Sequence, residues 1–353
     1  MPNVVIDLRM VRGRLHGIGR YALELARRLP ALAPSWRFVG LTAPGGLPDV
    51  GPLRPDMPLL PCTSGFLSWR EQLDLPRALR DAQADLFHAT SFSVPRLWSG
   101  RLVVTLHDAN HWARPEDYGW KQSLYLRTVT GPRARHAEAI LTVSDFSREE
   151  LSRFLNVPPE RIHLTPPGVD TTFRPKPSRL PQLPQQYFAA VGNEKPFKNL
   201  SLLAKIASRL PYPICLLAGA GAAKRLGFDE RTIDLGTLPE SDLPAFYAGA
   251  TALLLPSRYE GFGLPALEAM ACGTPVLAAR AGALPEVLQR AGVLVSPDDS
   301  EAWVDEATRL ANDLPHRRSL SALGLARAQD FSWDSCAQKT LGHYRAILER
   351  ATA

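Results

Sequence analysis

Apolar positions along this chain fall into two kinds of run that take turns. Short, nearly unbroken apolar runs have the length and aliphatic content of buried strands: Asn3–Leu8 (NVVIDL), Trp36–Leu41, Asp85–Ala89 (DLFHA), Arg101–His107 (RLVVTLH), Glu138–Val143 and Arg161–Thr165. The pattern restarts at Tyr187–Gly192 and continues at Ile214–Ala218, Thr232–Gly236, Ala252–Leu255, Pro275–Ala278 and Val293–Ser296. Between them, apolar residues recur at helical spacing. Tyr21, Leu25 and Leu29 mark one helix and Ser68–Arg80 a second. Leu200–Leu210, a loop and helix over Leu238–Ala250, Trp303–Leu310 and His316–Phe331 follow. Ser144 through Glu150 reads as a helix cap and first turn. Ala337, Leu341, Tyr344, Ile347 and Leu348 form the stripe of an amphipathic terminal helix. Pro44–Pro61 lacks either period and is expected to be loop.

Strand and helix alternating throughout predict an α/β chain with parallel sheets. At 353 residues there is chain for two domains. The proline-rich stretch from Pro166 to Pro184 is the natural break. The expected division is a Rossmann-like domain over 1–170, a linker over 171–185, a second Rossmann-like domain over 186–330 and a terminal helix over 331–353.

Composition narrows the function. Hydrophobic residues make up 45% and charged residues 22%, values of a soluble globular protein. No stretch approaches a membrane span, and MPNVVIDLRM lacks the features of a secretory signal, so a cytoplasmic location is expected. The four cysteines are scattered without CxxC spacing and read as free thiols. A net charge of +6 calls for an anionic partner. With no zinc-finger spacing, RNA-binding aromatic signature or long basic run, nucleic acid is disfavoured. From His111 to His136, Trp112, Tyr118, Trp120 and Tyr125 are mixed with Arg127, Arg133 and Arg135. That mixture suits peripheral contact with a membrane interface, and equally a helix packed on the sheet with a basic outer face.

The chemistry concentrates in Thr251–Glu286, which reads strand, glycine loop, helix, strand. The loop is Glu260-Gly261-Phe262-Gly263-Leu264, and Pro265 opens the helix that Gly273 closes. Two glycines allow close backbone approach, and a helix N-terminus favours an anion, above all phosphate. Glu260 and Glu268 bracket this loop, and carboxylates accept hydrogen bonds from vicinal hydroxyls. Phosphate flanked by two hydroxyl-bearing groups describes a nucleotide-sugar. A second phosphate-suited arrangement follows the strand at Tyr187–Gly192, where Asn193, Lys195 and Lys198 precede a helix. A third candidate is Gly17-Ile18-Gly19 after the first strand, ringed by Arg9, Arg12, Arg14 and Arg20. It is either a phosphate-facing turn or an ordinary tight turn. His88 and His107 end strands, where open α/β sheets gather ligands. His107 and His111 have H-x3-H spacing, but off a helix this is a poor metal arrangement, and no Asp-x-Asp occurs in the chain.

The string PSRYEGFGLPALEAMACGTPV resembles the donor-site signature of retaining glycosyltransferases of family 4, and TVSDFSREEL and PPGVDTTFRP resemble that family's end of the N-domain and interdomain hinge. The resemblance implies the GT-B fold: two Rossmann-like domains facing across a cleft, with a final helix crossing back to the N-domain. It implies that His107, in a His107-Asp108 pair, meets the donor sugar. Lys198, Gly17, Gly19 and Gly261–Leu264 would serve the diphosphate, Glu260 the sugar and Glu268 the ribose. Phe197 stands where relatives carry a second basic residue, with Lys195 the nearest substitute. The implied reaction is metal-independent transfer of a sugar to a glycan, lipid-linked or other hydroxyl acceptor. VGNEKPFKN and GIGRY point first to GDP-mannose as donor, with UDP-sugars open. The rival expectations are a nucleotide-sugar epimerase of the same fold and a non-catalytic protein that binds anions or membranes.

Overall fold

A computed structural model describes residues 1–13, 16–48, 53–54, 57–175 and 180–349. Arg14, the middle of the expected linker at 176–179 and the last residues, 350–353, lie outside the described residues. The chain forms two units. One comprises Met1–Gly168 together with Trp333–Ala353, and the other Val169–Ser332.

The first unit is built on a seven-stranded parallel sheet: β1 Asn3–Asp7, β2 Arg37–Thr42, β3 Leu59–Pro61, β4 Leu86–Ala89, β5 Arg101–Thr105, β6 Ala139–Thr142 and β7 Ile162–Leu164, in the order β3-β2-β1-β4-β5-β6-β7. Both faces are covered, which is why its strands read as unbroken apolar runs rather than alternating ones. Successive side chains still go to opposite faces. Val4 and Ile6 pack with Leu86, Val103 and Leu141 against Tyr21, Leu25 and Leu29 of the helix Gly17–Leu32. Val5 packs with Phe87, Val104 and Ile140 against Leu75 and Leu79 of the helix Glu71–Asp81.

The terminal helix, Trp333–Glu349, belongs to this first unit. Trp333, Cys336, Ala337, Leu341 and Tyr344 are buried on the same face as the helix Gly17–Leu32. The Tyr344 hydroxyl lies 2.5 Å from His88 Nδ1, and His88 Nε2 lies 2.7 Å from Thr105 Oγ1. His88 is therefore a structural histidine, fully buried, with both ring nitrogens satisfied.

The second unit carries a six-stranded parallel sheet: β8 Phe188–Val191, β9 Ile214–Leu217, β10 Ile233–Asp234, β11 Ala252–Leu255, β12 Val276–Ala279 and β13 Val293–Val295, ordered β10-β9-β8-β11-β12-β13. Its strand order repeats the first six strands of the other sheet. In each, the chain winds outward from a central strand, then returns to wind the other way, leaving a switch point between β1 and β4 and between β8 and β11.

Three details depart from the sequence reading. Leu59–Pro61, inside the stretch expected to be loop, pairs in parallel with Gly40–Thr42 as an edge strand. The helix expected over Leu200–Leu210 ends at Ile206 and gives way to a 3-10 turn over Ala207–Arg209. Gly17 and Gly19 are not a separate turn. They lie in the first turn of the helix Gly17–Leu32, where His16 is the N-cap and its Nδ1 accepts from the Gly19 N–H at 3.3 Å.

Candidate active site

The loops that leave β8 and β11 flank the switch point of the second unit, and the candidate residues sit on them. After β8, Asn193 Oδ1 accepts the Lys195 N–H at 3.1 Å, tightening the loop. Pro196–Lys198 is a single 3-10 turn, and Asn199 follows in the left-handed conformation. The Asn199 amide holds that strained point by donating to the carbonyls of Pro256 and Pro297, at 3.2 and 2.9 Å. Phe197 is buried, and the Lys198 ammonium lies 5.7 Å from its ring centroid. The Phe197 carbonyl accepts the Arg258 N–H at 2.7 Å, stitching this turn to the loop after β11.

That stitching brings together two groups distant in sequence. Lys198 Nζ lies 2.6 Å from Glu260 Oε1, with the side chains 17% and 10% exposed. Such a pair is easily rearranged but costly to halve, because either partner alone would be a poorly solvated charge. The backbone of Glu260 is clamped from the other side. Its carbonyl accepts the Ala283 N–H at 3.0 Å, and a Cβ on Gly282 would fall 2.7 Å from Glu260 N and O. With φ of +58° as well, position 282 accepts glycine and little else.

Beyond Glu260, the loop runs through buried Gly261 and Phe262 to Gly263. Gly263 has φ +96° and caps the helix Leu264–Ala271. Pro265 falls at the second helical position and has no N–H, so the N–H groups of Gly263 and Leu264 are what this end offers an anion. Glu268 lies further along the helix, half-buried, and its Oε2 accepts the Tyr247 hydroxyl at 3.0 Å. Tyr247 was not singled out from sequence. It sits in the helix Leu243–Ala248 and is fixed by the Thr274 hydroxyl, which donates to its carbonyl at 2.6 Å. A cation, a carboxylate and a helix N-terminus meet here. The positive part suits phosphate oxygens, and the carboxylates suit hydroxyl donors. Lys195 is exposed, with its backbone N–H held by Asn193.

His107 belongs to the first unit, two residues past β5. Its Nε2 is 3.0 Å from the Thr90 carbonyl, which can only accept, so Nε2 carries the proton and Nδ1 is left as an acceptor. Its ring stands edge-on to Tyr21, centroids 4.9 Å apart. Burial pushes its pKa down to about 4, opposed by the Thr90 hydrogen bond and reinforced by His16. The imidazole is therefore neutral at physiological pH. Arg9, one of the arginines that ring the Gly17-Ile18-Gly19 stretch in sequence, is not available to an anionic ligand. It is buried between Asp7 at 2.7 Å and Glu71 at 2.9 Å. Burial opposes its charge, but the two carboxylates outweigh burial and hold its pKa above the usual value.

Two parallel sheets of this order place the chain in a known fold class. Sucrose-phosphate synthase from Thermosynechococcus elongatus superposes with a TM-score of 0.81, covering 99% of this chain and 100% of that one at 19% identity. The Anabaena protein HepE, solved in complex with UDP and glucose, gives 0.76, covering 98% and 100% at 18% identity. The fold is GT-B, that of a large class of glycosyltransferases. Residues 15–173 match the family described as Glycosyltransferase Family 4, and residues 185–313 match Glycosyl transferases group 1. The O-antigen chain mannosyltransferase B of Escherichia coli is 32% identical over 98% of this chain and 100% of its own length. The chain belongs to glycosyltransferase family 4, and it is an enzyme.

Proposed function

We propose that the chain transfers a sugar, with retention of configuration, from a nucleoside diphosphate to a hydroxyl acceptor, and that the donor is GDP-mannose. The observation that carries this reading is the Lys198–Glu260 contact beside the helix at Gly263. Lys198 and the Gly263 and Leu264 N–H groups take the diphosphate. Glu260, released from Lys198 by the incoming phosphate, accepts hydrogen bonds from the sugar. Glu268, oriented by Tyr247, accepts them from the ribose. His107 is assigned to the donor sugar on family resemblance. Its neutral ring has Nδ1 as an acceptor for a hydroxyl.

In the reaction the bond from the anomeric carbon to phosphate oxygen breaks, and a bond to the acceptor oxygen forms on the same face. The acceptor's proton passes to the leaving diphosphate. Negative charge grows on that diphosphate, and preorganised N–H groups and an ammonium are the groups that stabilise it. No metal ion is assigned a part in this scheme. Mannose is supported by the name of the Escherichia coli relative, and a UDP-sugar by the ligands of HepE.

A thermal-shift panel of GDP, UDP and their sugars tests the donor. A ligand at a hundred times its dissociation constant stabilises by about 2.7 kcal/mol. The reading expects the largest shift with GDP or GDP-mannose. A shift with UDP-sugars alone reassigns the base, and no shift with any removes the donor site. Product analysis with donor and no acceptor separates transfer from epimerisation, which would convert the donor by itself.

A further inference from the structure

The first unit presents an apolar face that the donor chemistry does not use. Of the nine large hydrophobic residues exposed among the described residues, five lie in three neighbouring segments. Trp69 and Leu73, 61% and 54% exposed, stand at the start of the helix Glu71–Asp81. Leu97 follows β4, and Trp120 and Leu124 lie on the short helix Trp120–Tyr125 after β5, with Trp120 72% exposed. These segments touch. The Trp69 and Tyr125 ring centroids are 5.9 Å apart. The Gln72 amide donates to the Tyr125 hydroxyl at 2.6 Å, and Gln72 Oε1 accepts the Arg96 N–H at 2.7 Å. The Arg96 guanidinium donates to the Thr128 carbonyl at 2.8 Å, and the Thr128 hydroxyl to the Leu124 carbonyl at 2.8 Å.

The platform beneath is tied together by buried polar contacts. Glu71, fully buried between Trp69 and Leu73 in sequence, pairs with Arg9 and accepts from the Ser93 and Tyr125 hydroxyls. One buried ion cluster thus ties the end of β1, the loop after β4 and both helices together. All three apolar segments follow the carboxyl ends of strands β3, β4 and β5.

The charges around this face are basic. Arg70, Arg96, Lys121 and Arg127 are exposed among the apolar residues, and the Lys121 ammonium lies 5.6 Å from the Trp120 ring centroid. From Gly119 to Thr130 there is no acidic residue, while Lys121 and Arg127 are basic; Arg133, further on, donates instead to the Gly100 carbonyl at the amino end of β5. The acids nearest in sequence are Glu116 and Asp117 just before the stretch and Glu138 after it, whose carboxylate accepts the Leu102 N–H at 2.6 Å; Asp74 accepts from the Thr63 hydroxyl. Exposed indoles and leucines set among arginine and lysine, on a base held by buried polar contacts, match an interface of headgroups and acyl chains.

We propose that Trp69, Leu73, Leu97, Trp120 and Leu124 seat this unit on an anionic lipid bilayer. The inference concerns one unit alone and stands apart from the donor assignment, because binding is measured without donor.

The test is co-sedimentation of the full chain with vesicles of phosphatidylcholine, alone or mixed with phosphatidylglycerol. The wild type is expected to sediment with the anionic vesicles, with blue-shifted tryptophan emission and weaker binding at high salt. The variant carrying Trp69→Ser, Trp120→Ser and Leu124→Ser should lose about tenfold or more in partitioning, with its fold checked by circular dichroism. If that variant does not fold, the pair Lys121→Glu and Arg127→Glu is the replacement and should lose binding likewise. The proposal is overturned if the wild type stays in the supernatant with anionic vesicles, or if the folded variant sediments like the wild type. It is also overturned if the wild type is a dimer that the variant breaks, which would make the face a protein interface.

Discussion

At the scale of single residues, Lys198 and Glu260 carry the proposal, and each has a separable consequence. A charge-assisted hydrogen bond to a diphosphate is worth about 1.5–3 kcal/mol. Lys198→Ala should therefore weaken nucleoside-diphosphate binding by about tenfold to a hundredfold and slow transfer further, since the charge it meets grows as the bond breaks. Glu260→Gln keeps the shape and removes the carboxylate. It should leave binding of the bare diphosphate nearly intact while transfer falls by about a hundredfold, read as steady-state rates against donor concentration. Gly282→Ala tests the clamp behind Glu260. A methyl 2.7 Å from the Glu260 backbone must displace it, so this variant should lose transfer although position 282 bears no reactive group. Of these three, only Glu260 and Lys198 were singled out in the sequence, by the glycine loop and helix start that hold them taken together with the family resemblance of the surrounding strings. Their contact was not legible, since the two residues are 62 apart and meet only because β8 and β11 are neighbours. Arg9 misled for a related reason. An arginine after a strand reads as a ligand residue until the distant Glu71 is known to neutralise it.

At the scale of elements, the terminal helix is tied to the first unit by the buried Tyr344–His88 contact inside an apolar face. Tyr344→Phe leaves His88 Nδ1 buried without a partner, which costs about 1–3 kcal/mol. Denaturant unfolding should show that loss, with little change in donor binding. The same histidine predicts a pH response. Burial, assisted by His107, pushes the His88 pKa down to about 3, against about 6.5 in the unfolded chain. The unfolded chain then binds the extra proton below pH 6.5, and the folded one does not. Stability is therefore complete above about pH 6.5 and falls as pH drops towards 3, by up to about 1.4 kcal/mol per pH unit from this group. Urea titrations between pH 7 and pH 5 check the sign. The elements themselves were legible where burial is two-sided: Val4-Val5-Ile6 and Ala252–Leu255 are unbroken runs because helices cover both faces. The strand Leu59–Pro61 was not, being three residues long, partly exposed, at the sheet edge and ended by proline.

At the scale of the whole molecule, two units of like strand order carry different groups. The second gathers the cation, carboxylates and helix end at one switch point. The first holds His107 with its proton on Nε2, and the apolar basic face. The excess of positive charge suits both proposed guests, a diphosphate and an anionic surface.

We propose that the switch point of the second unit holds a nucleoside diphosphate with protein groups alone. Calorimetric titration of GDP and UDP into the wild type and Lys198→Ala, with and without a metal chelator, tests it most directly. One site is expected on the wild type, unchanged by chelator and weakened about tenfold to a hundredfold by the substitution. Equal affinity in the variant, or binding that the chelator abolishes, would contradict it.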